Sequence, residues 1–179
     1  MTFPVPVLGI VACGSGSGKT TLLRQIIPQL SRKGLRVGLI KHAHHTFEPD
    51  IPGKDSYLLR QAGARQVLVV SRERMALFSE NPEGEELDLE RLVQLLASGS
   101  LNLVLVEGLK QENVPKIEVY RPTAGFQCQA LYPLDPWIIA VATDSDLEID
   151  PGRPVLELNS PDQVVTFILD WLKTCVPCL

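Results

Sequence analysis

The segment Ala12-Cys13-Gly14-Ser15-Gly16-Ser17-Gly18-Lys19-Thr20-Thr21 sets three alternating glycines directly before a Lys-Thr-Thr run. An apolar run, Val5–Ala12, precedes it, and a helical pattern follows from Lys19. A phosphate-binding loop requires this order of strand, loop and helix. The glycines let the backbone curl round an anion with its N–H groups inward, and the new helix presents its positive end to the same point. Lys19 is spaced to reach β- and γ-phosphates, and the Thr20 hydroxyl to ligate Mg²⁺. Gly14, Ser15, Gly16, Ser17, Gly18 and Thr21 complete the cradle. The strict pattern G-x-x-x-x-G-K-[ST] wants glycine where Cys13 stands, and the adjacent Gly14 can carry the turn.

Ligands of an open α/β sheet sit outside the carboxyl ends of its strands. One apolar strand ends in Glu107-Gly108, where the second Mg²⁺ contact of such a site normally arises, usually from Asp. Another ends in Lys41-His42-Ala43-His44-His45, which gathers all three histidines of the chain. Those imidazoles could bind zinc or nickel, donate hydrogen bonds to phosphate or substrate beside Lys41, or simply form a polar loop. Asp50 and Asp55 flank the turn Pro52-Gly53-Lys54, and Asp55 is the better placed to meet Mg²⁺ or a water near the γ-phosphate. A late strand ends in Thr143-Asp144-Ser145-Asp146, a partial match to the [NT]-K-x-D segment that accepts from guanine N–H groups. Asp144 replaces the Lys of that pattern, and an Asp-rich turn accounts for the same residues equally well.

These residues need a scaffold, and the hydrophobic pattern supplies one. Leu22, Leu23, Ile26, Ile27 and Leu30 form one helical face, with Pro28 expected to kink the helix and Gly34 to stop it. Strands are expected at 37–40, 67–71, 75–79, 101–106, 116–120 and 137–142, and a short helix at 54–62. Asp88 should cap a helix bearing Leu89, Leu92, Val93 and Leu96. A last helix opens with Ser160-Pro161-Asp162-Gln163, which reads as a capping box. Strands alternating with helices predict a doubly wound, mostly parallel α/β sheet, a P-loop NTPase fold in a single domain spanning 1–179.

Composition narrows the function classes. The 179 residues carry 17 Lys and Arg against 21 Asp and Glu, and this net charge of −4 argues against a general nucleic-acid binder. No apolar stretch is long enough for a membrane span, and the N-terminal run leads into the glycine loop rather than a signal-peptide cleavage site. A cytoplasmic protein is expected. Cys175 and Cys178 form a C-x-x-C without a second pair, and read as reduced thiols on a frayed tail.

Taken together the motifs resemble the MobB family, accessory GTP-binding proteins of molybdopterin guanine dinucleotide biosynthesis. The matching segments are Gly14–Thr21, Gly38-Leu39-Ile40-Lys41-His42-Ala43-His44-His45 and Pro52-Gly53-Lys54-Asp55-Ser56-Tyr57. Arg60-Gln61-Ala62-Gly63-Ala64, Leu103-Val104-Leu105-Val106-Glu107-Gly108-Leu109-Lys110 and Lys116-Ile117-Glu118 continue the match in order. The resemblance implies GTP and Mg²⁺ as ligands, weak GTP hydrolysis, a homodimer, and cooperation with the MobA-like nucleotidyltransferase that joins GMP to molybdopterin. On this reading Lys19, Glu107 and Asp55 serve the reaction, and Thr20 and Glu107 hold Mg²⁺. Asp144 and Asp146 face the base, and Lys41, His42, His44, His45, Lys54 and Lys110 form a basic rim suited to a pterin phosphate or a partner's nucleotide. Two other classes stay open: a small-molecule kinase with Asp55 as base, and a metal-delivery GTPase using the histidines.

Overall fold

The computed structural model describes residues 3–43, 47–81, 88–97, 100–122, 129–147 and 151–175. In chain order the elements are β1 (Val7–Val11), α1 (Lys19–Arg32), β2 (Val37–Lys41), α2 (Asp55–Gln61), β3 (Gln66–Val70) and β4 (Met75–Ser79). Then come α3 (Leu89–Ala97), β5 (Leu103–Glu107), β6 (Lys116–Tyr120), β7 (Ile138–Thr143), β8 (Val155–Glu157) and α4 (Pro161–Cys175). They group into two compact units, one of residues up to His42 and from Asp88 onward, the other Ala43–Leu87.

The first unit is a six-stranded sheet in the order β2-β5-β1-β6-β7-β8, with every neighbouring pair parallel. β1 and β5 are buried at every position, which is why they read as unbroken apolar runs rather than alternating ones. The pleat sends Leu8 and Ile10 to the face covered by Leu22, Leu23, Ile26 and Leu30 of α1 and by Val164, Val165 and Ile168 of α4. Val7, Val104 and Val106 pack on the opposite face against Leu89 and Val93 of α3. Helices on both faces make the sheet doubly wound, as the alternation of elements predicts.

Local signals explain the helix ends. α1 runs through Pro28 and closes at Gly34 (φ 86°), where Gly34 N–H donates to Ser31 O (2.9 Å) and Leu35 N–H to Leu30 O (3.2 Å), a Schellman ending. Asp88 caps α3 by accepting the Arg91 N–H at 2.7 Å. The capping box at Ser160 does not close as its pattern suggests. Gln163 Oε1 accepts instead from Glu157 N–H (3.1 Å), tying α4 to the end of β8. β8 itself, three residues long, is too short to leave a periodic mark in the sequence.

A buried polar layer lies on β6. Lys116, 1% exposed, crosses under Gly9, where an added Cβ would meet Lys116 Cγ at 2.8 Å; only glycine lets β1 and this side chain share the space. The Lys116 ammonium donates to Lys110 O (2.8 Å) and Asp135 Oδ2 (2.6 Å). Glu118 accepts the N–H groups of Leu131 (2.8 Å) and Tyr132 (2.7 Å), and burial raises its carboxyl above the ordinary glutamate range.

The second unit is the antiparallel hairpin β3–β4 with α2. No α2 residue is buried. Its centre is Arg60, which donates to Glu48 (2.5 Å) and Glu80 (2.8 Å) and lies against the Tyr57 and Phe78 rings. The hydrogen bond from Arg60 pulls the Glu48 carboxyl below its usual range. Leu68 pairs with Leu77 and Val70 with Met75 on one hairpin face, and all four are more than half exposed.

Candidate functional site

The loop after β1 has the shape its glycines imply. Gly16 and Gly18 adopt left-handed backbone (φ 76° and 98°), which side-chain-bearing residues rarely tolerate. Gly18 is the N-cap of α1, so no side chain occupies the cap, and the first turn carries no acidic residue. The leading N–H groups of α1 and the positive end of its dipole are therefore left for an anion. Gly14 O organises the loop from within, accepting Ser17 Oγ–H (2.9 Å) and the Lys19 ammonium (2.7 Å). Lys110 donates to Cys13 O at 2.5 Å, so a second cation anchors the loop where the strict pattern has its first glycine. Ser15 and Gly16 stay exposed at the loop crest, and Thr21 is exposed in the first turn of α1.

Lys19 is half-buried, and its ammonium sits below its ordinary pKa. Burial is the main cause; Glu107 opposes it, and Lys110 and Lys41 push further down. A cation held at this disadvantage is stabilised by an arriving anion.

Glu107 closes β5 beside the loop. Parallel pairing sets Ile10 of β1 and Lys41 of β2 against it on either side. Glu107 is 8% exposed; its Oε1 accepts the Thr20 hydroxyl (2.8 Å) and its Oε2 lies 3.4 Å from the Lys41 ammonium. The chain then turns at Gly108 (φ 97°), whose N–H donates to Ile10 O (3.2 Å), while Glu107 O accepts the His42 N–H (3.0 Å). A hydroxyl and a carboxylate oxygen 2.8 Å apart at the mouth of a phosphate loop are hard oxygen donors of the kind Mg²⁺ takes, and the donor set fits that ion.

On the other side of β1 the strands β6 and β7 end together, Tyr120 opposite Thr143. A cleft of about 450 Å³ there is lined by Thr143, Asp144, Ser145, Asp146, Glu157 and Gln163, among others. Asp144 is bonded to Arg121, 2.7 Å from its Nη2, and that hydrogen bond holds its carboxyl below the usual range. Asp146 is exposed.

The structure thus brings Gly14–Thr21, Lys41, His42, Glu107, Lys110, Asp144 and Asp146 into one unit at the carboxyl edge of one sheet. Lys54 and Asp55 belong to the second unit, as N-cap and first residue of α2. His44 and His45 lie outside the described residues. Sequence reasoning passed over Arg121, which follows directly on β6; a lone arginine after a strand gives no signal until strand pairing sets it beside the loop.

Comparisons with known proteins bear on the family and the fold. The profile of a family described as "Molybdopterin guanine dinucleotide synthesis protein B" matches residues 7–144, from the start of β1 to the first residue after β7. The chain belongs to this family. The "Molybdopterin-guanine dinucleotide biosynthesis adapter protein" of Escherichia coli (strain K12) is 44% identical over 169 residues, covering 94% of each chain. The protein of the same name from Haemophilus influenzae is 42% identical over 172 residues, covering 96% of this chain and 92% of its own. Among solved structures, a MobB protein homolog from Bacillus stearothermophilus superposes with a TM-score of 0.71 at 28% identity, covering 94% of this chain and 98% of that one. MobB family membership therefore accounts for both the sheet and the motifs along it.

Proposed function

We propose that this chain is the adapter of molybdopterin guanine dinucleotide biosynthesis that holds GTP with Mg²⁺ and assists a MobA-like nucleotidyltransferase in joining GMP to molybdopterin. The observation that carries the nucleotide part is the closed set at the loop: an uncapped α1 N-terminus, Lys19 folded over Gly14 O, and Thr20 hydrogen-bonded to Glu107. Lys19 and the α1 N–H groups would hold β- and γ-phosphates, and Thr20 and Glu107 the Mg²⁺, which would supply charge neutralisation between the phosphates. The basic rim of Lys41, His42 and Lys110 supports a role toward a second phosphorylated ligand, including the pterin phosphate.

Phosphoryl transfer leaves little covalent work for a protein, and the chain acts chiefly by holding nucleotide, with slow hydrolysis. Guanine selection falls to the turn after β7, where Asp146 is open while Asp144 is engaged by Arg121. The homodimer finds its support in the second unit. A lone two-stranded hairpin is marginal in water, and the face of Leu68, Val70, Met75 and Leu77 is apolar and exposed.

Calorimetric titration with GTP and with ATP, each with Mg²⁺, tests the reading. GTP binding at least about tenfold tighter is expected, since a carboxylate that accepts from guanine N–H groups meets only an acceptor at adenine N1. Equal or tighter binding of ATP would remove the guanine assignment and favour a kinase.

A further inference from the structure

The phosphate loop and the turn after β7 are joined by one side chain that neither motif contains. Arg121 follows the last residue of β6, between the two. Its Nη2 lies 2.7 Å from Asp144 Oδ2. Its Nη1 reaches toward the loop: a Cβ placed on Gly18 would lie 3.8 Å from it. Gly18 is the left-handed N-cap from which the α1 N–H groups fan out. The guanidinium thus stands beside the spot where those groups converge.

Its third donor is the telling one. Among the described residues, Arg121 Nε is buried and has no hydrogen-bond partner. An unsatisfied buried donor is costly, and Asp144 alone does not complete the partners of this guanidinium. The planar fork of arginine is suited to phosphate oxygens, and it can grip one anion while keeping a second bond elsewhere.

We propose that Arg121 is a phosphate-contacting residue of this site. Its guanidinium, bonded to Asp144, engages the phosphate chain cradled by Gly14–Thr21 and ties phosphate occupancy to the turn that faces the base. The inference rests on the nucleotide-binding reading above, and it assigns the charge-stabilising arginine that the sequence motifs alone leave unnamed.

The test is a calorimetric titration of the full chain and its Arg121→Ala and Arg121→Lys variants with three probes, each with Mg²⁺: GTP, ATP and inorganic tripolyphosphate. Losing a charge-assisted contact to phosphate should weaken all three by a similar factor, roughly ten- to a hundredfold, with Arg121→Lys recovering part of the loss. The GTP-to-ATP ratio should not move. Thermal unfolding of each variant shows that it is folded, and the conservative lysine variant keeps the comparison available if alanine destabilises the chain. Unchanged tripolyphosphate affinity with a lost GTP-to-ATP ratio would make Arg121 a brace for Asp144 and overturn the proposal, as would no change at all. If the wild type shows no preference for GTP yet tripolyphosphate binding still depends on Arg121, the guanine reading falls and the phosphate contact stands. Failure of the wild type to bind any of the three overturns both.

Discussion

Two glutamates stand on the strands that flank β1, and both are buried, yet they do opposite things. Glu118, inside β6, spends both oxygens on fixed backbone N–H groups of Leu131 and Tyr132. Its partners cannot leave without unravelling that segment. Glu107, at the end of β5, is satisfied by side chains alone, the Thr20 hydroxyl and the largely exposed Lys41 ammonium. Both partners can turn away and be replaced by a metal ion or a nucleotide. The same contrast divides the lysines. Lys116 is locked between Lys110 O and Asp135, whereas Lys19 rests on a loop carbonyl, its charge disfavoured by burial and short of a full counterion. Burial of a charged group does not separate structure from function here. What separates them is whether the group is enclosed within the sheet or stands at its carboxyl edge, where its partners are exposed or belong to the loop.

Substitutions should sort along that line. The largest effect on folding is expected from Lys116→Ala, which leaves Asp135 and Lys110 O without their cation. A loss of about 3 kcal/mol in urea unfolding is expected, while the folded fraction keeps nearly wild-type affinity for MgGTP. Glu107→Gln should do the reverse. It retains a hydrogen-bond partner for Thr20 but loses the charge, so MgGTP affinity drops roughly ten- to a hundredfold, with stability within about 0.5 kcal/mol of wild type. If Glu107→Gln unfolds the chain and leaves affinity intact, the contrast between the two glutamates is wrong.

A smaller effect should appear in the pH dependence of Glu118. Burial raises its folded pKa above the unfolded value, so the folded state binds the proton more tightly. Stability therefore falls as pH rises from the ordinary glutamate value up to the folded one, because the carboxylate must then be charged in a buried site. Glu118→Gln lacks this slope. Urea unfolding at a series of pH values should show the wild type losing ground to the variant across that window, and parallel curves would remove the assignment.

Much of the site was legible in the sequence because its chemistry is local. Glycines before Lys19 and Thr20 announce a loop whose backbone must take left-handed turns, and Gly16 and Gly18 do so. Glu107 was legible because an acidic residue closing an apolar strand stands out. The sheet followed from β1 and β5, whose unbroken apolar runs mark strands buried on both faces. Arg121 was not, since a single arginine after a strand resembles any surface cation until pairing places it beside Gly18. The division of the chain around residues 43–87 was equally silent. No linker composition marks it, and the second unit is held by Arg60 and its acidic and aromatic partners, which have no periodicity to detect. The role of Lys116 and Glu118 was hidden for the converse reason: charges in a strand look exposed until Gly9 and the 131–135 segment are seen to enclose them.

The carboxyl edge around Lys19 is expected to bind phosphate and to contribute little to the fold. The most direct test is a calorimetric titration of the wild type and of Lys19→Ala with MgGTP, paired with thermal unfolding of both. Saturable binding by the wild type, no detectable binding by Lys19→Ala and closely agreeing unfolding midpoints are expected, since among the described residues the Lys19 ammonium donates to Gly14 O and Ser17 Oγ of the loop itself. Wild-type affinity in Lys19→Ala, or a collapse of its stability, would contradict that expectation.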